Sequence, residues 1–221
     1  KALEAYQEAG EDPKALECIP MLKRSDIKRE AAKIINEELT VDDSLFLYHD
    51  VCTNGIGYVD LMFKTDSIAP EQIPYLGLLK SVLGYVDTEN YTYGELFNEI
   101  NANTGGINCG VEIFDRADST EEFQAMFSVR GKALYTKMDF LFKMIGEILN
   151  SSKLEDTKRL YEIVASVKSR AQVNLTGAGH STAVLRAAAY SSPMAAFQDE
   201  MAGIGYYQFI EKLEKNFDSC K

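Results

Sequence analysis

Tryptophan is absent from this 221-residue chain, and histidine occurs twice, cysteine four times and proline five times. Two histidines leave little material for a closed zinc centre, which takes four ligands drawn chiefly from Cys and His. The cysteines (Cys18, Cys52, Cys109 and Cys220) are scattered without a Cys-x-x-Cys pair. Neither a zinc ribbon nor the disulfide lattice of a small secreted domain is therefore expected, and reduced thiols in a cytosol-like compartment are the default. Cations are the minority, with 23 Lys and Arg against 34 Asp and Glu and a net charge of −11. That balance argues against a nucleic-acid surface, which needs clustered cations to displace counterions. No stretch approaches the roughly 18 consecutive apolar residues of a membrane span. The first residues, Lys-Ala-Leu-Glu, are neither an initiator Met nor a signal peptide, and the chain reads as a piece of something longer.

What is present is the composition of a folded domain: 46% of residues are hydrophobic and 26% charged, enough apolar material for a sizeable core. Residues 1–27 read as helix, break, helix, with Gly10 stopping the first and Pro13 suited to the opening turn of the second. Period then changes. Leu45 and Leu47 alternate with Phe46 and Tyr48, and Val59, Leu61 and Phe63 alternate with Tyr58, Asp60 and Met62. Such alternation marks half-buried strands, and Asn54-Gly55 supplies turn chemistry between them, so an antiparallel hairpin is expected. After Pro70, Ile73, Leu76, Leu79 and Leu83 repeat at helical spacing. Thr92 to Glu95 fits a capping box opening a second helix, which Thr104-Gly105-Gly106 ends. Alternation returns in Ile107, Cys109, Val111 and Ile113 and in Phe123, Ala125, Phe127 and Val129, with a turn over 115–120. From Leu134 onward the pattern is helical, broken at Gly177-Ala178-Gly179. The order ββ, α, ββ, then helices indicates an α+β fold, an antiparallel sheet with helices on one face. The organisation expected is a linker over residues 1–27 and a single domain over 28–221.

Chemistry-bearing residues are thin. His49 and Cys52 form His-x-x-Cys, but on a strand positions i and i+3 face opposite ways and no further ligand lies nearby in sequence. His180 sits in Gly-Ala-Gly-His-Ser-Thr, too short in glycine for a phosphate cradle and lacking its Lys. Ser181 and Ser191 have no nucleophile-elbow context. Glu95 and Glu99 share a helix face, more often a solvated face than an acid–base pair. Asn90-Tyr-Thr92 and Asn174-Leu-Thr176 match the glycosylation sequon without any sign of secretion. Tyr206, Tyr207 and Phe209 with Ile210 and Leu213 read as core. By these residues the chain is a soluble domain without a self-contained active site.

Longer strings carry more. Ile19-Pro-Met-Leu22 with Ser25-Asp-Ile27, Thr53-Asn-Gly-Ile56, Tyr75-Leu-Gly-Leu-Leu79 with Leu83-Gly84, Tyr93 to Asn101 with Thr104-Gly-Gly-Ile107, Gly179-His180, Arg186-Ala187 and Gly205-Tyr-Tyr207 occur in order along the chain. Together they resemble the presequence protease subfamily of the pitrilysin/insulinase-type zinc metallopeptidases. The resemblance implies one of four related α+β domains of the mitochondrial-processing-peptidase-like kind, specifically the third, which begins the C-terminal half. Residues 1–27 would then end the helical arm that joins the halves.

In that family zinc belongs to the first domain, on a helix carrying His-x-x-Glu-His. The resemblance places Leu76, Leu79 and Lys80 at the His, Glu and His positions of the corresponding helix, so neither a metal nor a catalytic residue is expected here. What the resemblance implies is a non-catalytic part of a zinc endopeptidase that degrades short unstructured peptides, with zinc bound by another domain of the parent. Its partners would be the catalytic half and the adjacent C-terminal domain of the same polypeptide, together with peptide substrates, in a bacterial cytoplasm or mitochondrial matrix. Its implied role is to form part of a closed peptide chamber and support the catalytic half. The rivals are a stand-alone peptide-binding module, which predicts measurable peptide binding where a chamber wall predicts little or none, and a non-catalytic subunit of a heteromeric peptidase. Leu76 and Leu79 should pack in the core. Met194, Phe197, Met201, Ile204, Tyr206 and Tyr207 are candidates for apolar surface that a neighbouring domain covers, as are Ala2 to Leu22 of the arm.

Overall fold

Helix α1 (Ala2–Glu8) is built from good helix formers, and Gly10 at φ +69° ends that register before the one-turn α2 (Pro13–Leu16). A 3-10 turn at Arg24–Asp26 follows. The antiparallel pair β1 (Glu37–Val41) and β2 (Ser44–Tyr48) then closes on Asp42 and Asp43, both at positive φ (47° and 65°). The computed structural model describes residues 1–10, 13–31, 33, 35–119 and 121–219. It divides into two compact units, residues 1–52 and 53–221; the expected linker, 1–27, falls inside the first. Thr120, in the expected turn, and Cys220 lie outside the described residues.

The second unit opens with β3 (Ile56–Lys64), continues through α3 (Ile73–Val82) and α4 (Tyr93–Asn103), returns to β4 (Ile107–Asp115) and β5 (Phe123–Leu134), and ends in five helices. These are α5 (Met138–Ser151), α6 (Thr157–Gly177), α7 (Gly179–Ala188), α8 (Pro193–Ala202) and α9 (Ile204–Lys215). The sheet is antiparallel in the order β3-β5-β4. Along the central β5, Ala125, Phe127, Val129 and Ala133 are buried while Arg130 and Lys132 between them are exposed. This two-residue period puts one face under α5, whose Leu141, Met144, Ile145 and Ile148 complete the main cluster with Leu76, Leu96 and Ile100. Leu141 packs directly over Gly131, where a Cβ would stand 2.7 Å from a leucine methyl and push that side chain aside. On the other face Arg130 spans the sheet, its guanidinium 2.6 Å from Asp60 on β3 and 3.1 Å from Glu112 on β4. A second cluster gathers Val82 of α3, Val86 just beyond it, Ile163, Val164 and Val167 of α6, and Tyr206 and Ile210 of α9. The α+β class, with helices on one face of an antiparallel sheet, is as the sequence predicts.

Two sequence expectations are corrected. Strands 44–48 and 56–64 are not a hairpin: β2 pairs with β1, and β3 pairs with β5. Asn54 and Gly55 do turn (φ +52° and +84°, with Ile56 N–H donating to Thr53 at 3.2 Å), but that turn only leads the chain into β3. Alternation specifies which face a strand buries, not which strand it meets. The C-terminal apolar set is not spare surface either. Phe197, Met201 and Tyr206 are buried, and Met194, Ile204 and Tyr207 are half-buried, because α8 and α9 fold back on α3 and α6.

Candidate functional site

Helix α3 is where the resemblance locates the chemistry of active relatives, so its surroundings decide what this chain can do. The 3-10 turn Pro70–Gln72 leads into it, and Pro74 occupies a first-turn position where no intrahelical N–H is needed. Extended Leu83 and Gly84 at φ +83° close it. Leu76 is buried in the main cluster; Leu79 packs against that cluster half-buried, less enclosed than predicted. Gly77 permits the approach of the C-terminal helices, since a Cβ there would lie 2.7 Å from the Tyr206 ring and 2.9 Å from the Met201 carbonyl. Lys80 is half-buried, and loss of water lowers its pKa from the usual lysine value.

This donor set does not fit a zinc ion. Leu76 and Leu79 carry no lone pair and are committed to hydrophobic packing, and a lysine ammonium must lose its proton before it can ligate.

The other sequence candidates lie apart. His49 is exposed, with Nδ1 2.7 Å from the Ile35 carbonyl, and Cys52 is exposed in the same unit. His180 and Ser181 are exposed in the first turn of α7, and the Ser191 hydroxyl donates to the Ala188 carbonyl at 3.3 Å. Glu95 is the capping-box partner of Thr92, the N-cap of α4, accepting from the Thr92 N–H at 3.0 Å and the Thr92 hydroxyl at 2.8 Å while its own N–H donates to that hydroxyl. Those bonds hold its carboxyl below the usual carboxylate range. Glu99 accepts from Asn103 on the same exposed face. Among the described residues no group of three or more His, Cys, Asp or Glu could hold a metal ion.

Two arrangements escaped the sequence reading. The first is a polar knot at Asp199, almost fully buried near the end of α8. It accepts from the Arg186 guanidinium at 2.7 Å and from the Ile204 and Gly205 N–H groups at 3.0 Å, capping α9. Cβ atoms at Gly203 or Gly205 would collide with its carboxyl, so Gly-Ile-Gly was the legible sign of something held tightly. The second is a cleft of about 480 Å³ beside α3 that reaches α4, β4 and α6. Lys80, Arg159 and Arg170 line it, with Glu162 the one carboxylate among the lining residues. Arg159 is spoken for: its Nε donates to the Tyr85 carbonyl at 2.9 Å, its Nη1 meets Glu162 at 3.1 Å, and its guanidinium lies 3.9 Å over the Tyr93 ring. Cys109 also lines the cleft, and burial pushes its thiol up to about 11, away from nucleophilic use at neutral pH.

Over residues 1–213 the chain matches the family described as peptidase M-16C associated. The chain belongs to that family. Protein HypA of Clostridium perfringens is 36% identical over 97% of this chain and 22% of its own length. Presequence protease 1, chloroplastic/mitochondrial, of Arabidopsis thaliana is 29% identical over 98% of the chain and 20% of its length. A mitochondrial presequence protease of Yarrowia lipolytica is 29% identical over 92% and 20%. The chain thus spans about a fifth of the length of these curated relatives. Membership in this family makes it a peptidase-associated domain.

Proposed function

We propose that this chain is the non-catalytic third domain of a zinc metalloendopeptidase that degrades short unstructured peptides, walling part of a closed peptide chamber and bracing the catalytic half. The observation that supports this reading most directly is α3, which keeps the packed helix and presents Leu76, Leu79 and Lys80 where an active copy needs two histidines and a glutamate. Zinc would be held by another domain of the parent, and the hydrolytic chemistry with it. The neighbours would be the catalytic half and the next C-terminal domain, in a bacterial cytoplasm or mitochondrial matrix. An acidic wall would draw basic peptides toward the chamber, given the chain's net charge of −11.

The purified chain, freed of any affinity tag and dialysed, should hold zinc only substoichiometrically by elemental analysis and cleave no peptide. The parental reading frame should carry His-x-x-Glu-His upstream. One tightly retained zinc per chain, or a parent without that motif, would sink the assignment.

A further inference from the structure

The cleft beside α3 is unexplained by a passive wall. Lys80 and Arg170 line it and form no ion pair or hydrogen bond among the described residues, while Arg159 and Glu162 neutralise each other. In a chain with 11 more acids than bases, a recess holding three cations and one carboxylate is a local reversal of sign. A half-buried ammonium without a counter-ion is costly, and the arrangement is relieved by an anion that shares the recess. The rest of the lining is mixed: Ser81, Asn101, Asn108 and Ser166 are polar, Leu83, Ile100, Ile148 and Ile163 are buried, and the Phe97 ring is exposed. Near the same helices the Tyr206 hydroxyl is buried with no hydrogen-bond partner among the described residues. A free phosphate would leave the exposed Phe97 ring and the half-buried Ile107 unmatched. A ligand carrying negative charge and an apolar group on adjacent atoms matches both the cations and these side chains.

We propose that this cleft binds the C-terminal carboxylate of a peptide whose last residue is apolar, with Lys80 and Arg170 facing the carboxylate and Phe97 and Ile100 walling the side chain. That the ligand is a peptide rests on the chamber reading; that the cleft takes an anion beside an apolar group does not. One charge-assisted contact and one side chain amount to a subsite, with a dissociation constant on the order of a millimolar. Such affinity suits one wall of an enclosed chamber, where a free-standing binding module would reach micromolar.

The test titrates the isotopically labelled 221-residue chain with acetyl-Ala-Ala-Phe as free acid and as C-terminal amide, following backbone amide shifts. The acid should move amides around Lys80, Asn108 and Ser166, and the amide form should bind about tenfold more weakly, the usual loss for a hydrogen bond to a charged group. Lys80→Gln and Arg170→Gln, each checked for retained amide dispersion, should each weaken the acid by a similar factor and leave the amide unchanged. Equal binding of acid and amide, shifts that map away from the cleft, or no shifts at about 10 mM peptide would overturn the assignment. So would inorganic phosphate moving the same amides with equal affinity, which would mark an unselective anion site. Because acid and amide are compared on the unmodified chain, a variant that fails to fold does not remove the test. None of these outcomes bears on the zinc content or the upstream motif, which test the chamber reading.

Discussion

Within residues 1–52 no described residue is buried, although the segment includes Leu16, Ile19, Met21, Leu22, Phe46 and Leu47. Residues 53–221 hold two clusters with Val86, Leu96, Val129, Leu141, Met144 and Ile210 sealed from water. Both units contain apolar residues and regular secondary structure, so neither composition nor propensity separates them. The difference is that one sheet face and several helices enclose the same apolar groups from many sides, which a single hairpin and two short helices cannot do for themselves. Secondary structure in the first unit is local, held by a cap, a turn and a ladder. In the second it is enforced by packing.

The sharpest way to break this contrast is truncation of apolar residues in the two units. Leu141→Ala, on α5 against Gly131, should cost about 2–5 kcal/mol in denaturant unfolding, and the buried Leu76→Ala should fall in the same range. Leu45→Ala on β2 should cost less than about 0.5 kcal/mol, because its side chain is 69% exposed. A Leu45→Ala loss above about 1 kcal/mol would show that the first unit buries its apolar face after all.

A smaller effect probes how the second unit holds its irregular segments. Glu147, on α5, accepts from Asn90 through the backbone N–H at 3.2 Å and the side-chain amide at 2.9 Å, pinning the turn before α4. Hydrogen bonds from Thr88 and Asn90 hold its carboxyl below the usual carboxylate range. A carboxyl depressed in the folded state contributes stability above its unfolded pKa of about 4.3 and loses it as pH falls through the lower folded value. Acid unfolding of the native chain should therefore include this loss below about pH 4. Glu147→Gln should remove that component of the pH dependence and cost about 1 kcal/mol at pH 7, measured by urea titration at both pH values. An unchanged acid profile would mean that the Asn90 turn stands without the carboxylate. No described residue of the first unit offers a matching buried acid.

Much of this was legible before any coordinates. The Thr92–Glu95 capping box, the helix break at 177–179, the alternation over 107–113 and 123–129 and the apolar faces of α5 and α6 all follow from local rules, and local rules are what a single sequence exposes. Strand pairing was legible only in part: β4 and β5 pair as the expected hairpin, but Asn54-Gly55 is a stronger turn signal than Asp42-Asp43 and the weaker signal closes the first hairpin. Tyr206 reads as core from its helical spacing with Ile210 and is buried, but the burial of Phe197 depends on a return of the chain over α3, announced only by Gly77, Gly203 and Gly205. The basic cleft joins residues as far apart as Lys80 and Arg170, and no spacing rule in a largely acidic sequence points to it.

The missed hairpin gives the finest test of how local the first unit is. Asp42 and Asp43 sit at φ 47° and 65°, a region where an L-residue is strained and Asp is tolerated chiefly for its short polar side chain. A two-residue turn of this kind favours glycine at its second central position. Asp43→Gly should therefore relieve strain worth about 0.5–1 kcal/mol, partly offset by the greater freedom of glycine in the open chain. Only the hairpin should respond: amide exchange at Thr40 and Leu45, partners across the ladder, should slow roughly two- to fivefold while the unfolding midpoint of residues 53–221 stays put. If exchange speeds up, the open-chain entropy outweighs the strain and the turn is not what limits opening. If instead the global midpoint rises with it, the hairpin's stability is coupled to the large core, and the separation of a locally held unit from a packed one fails at its most sensitive point.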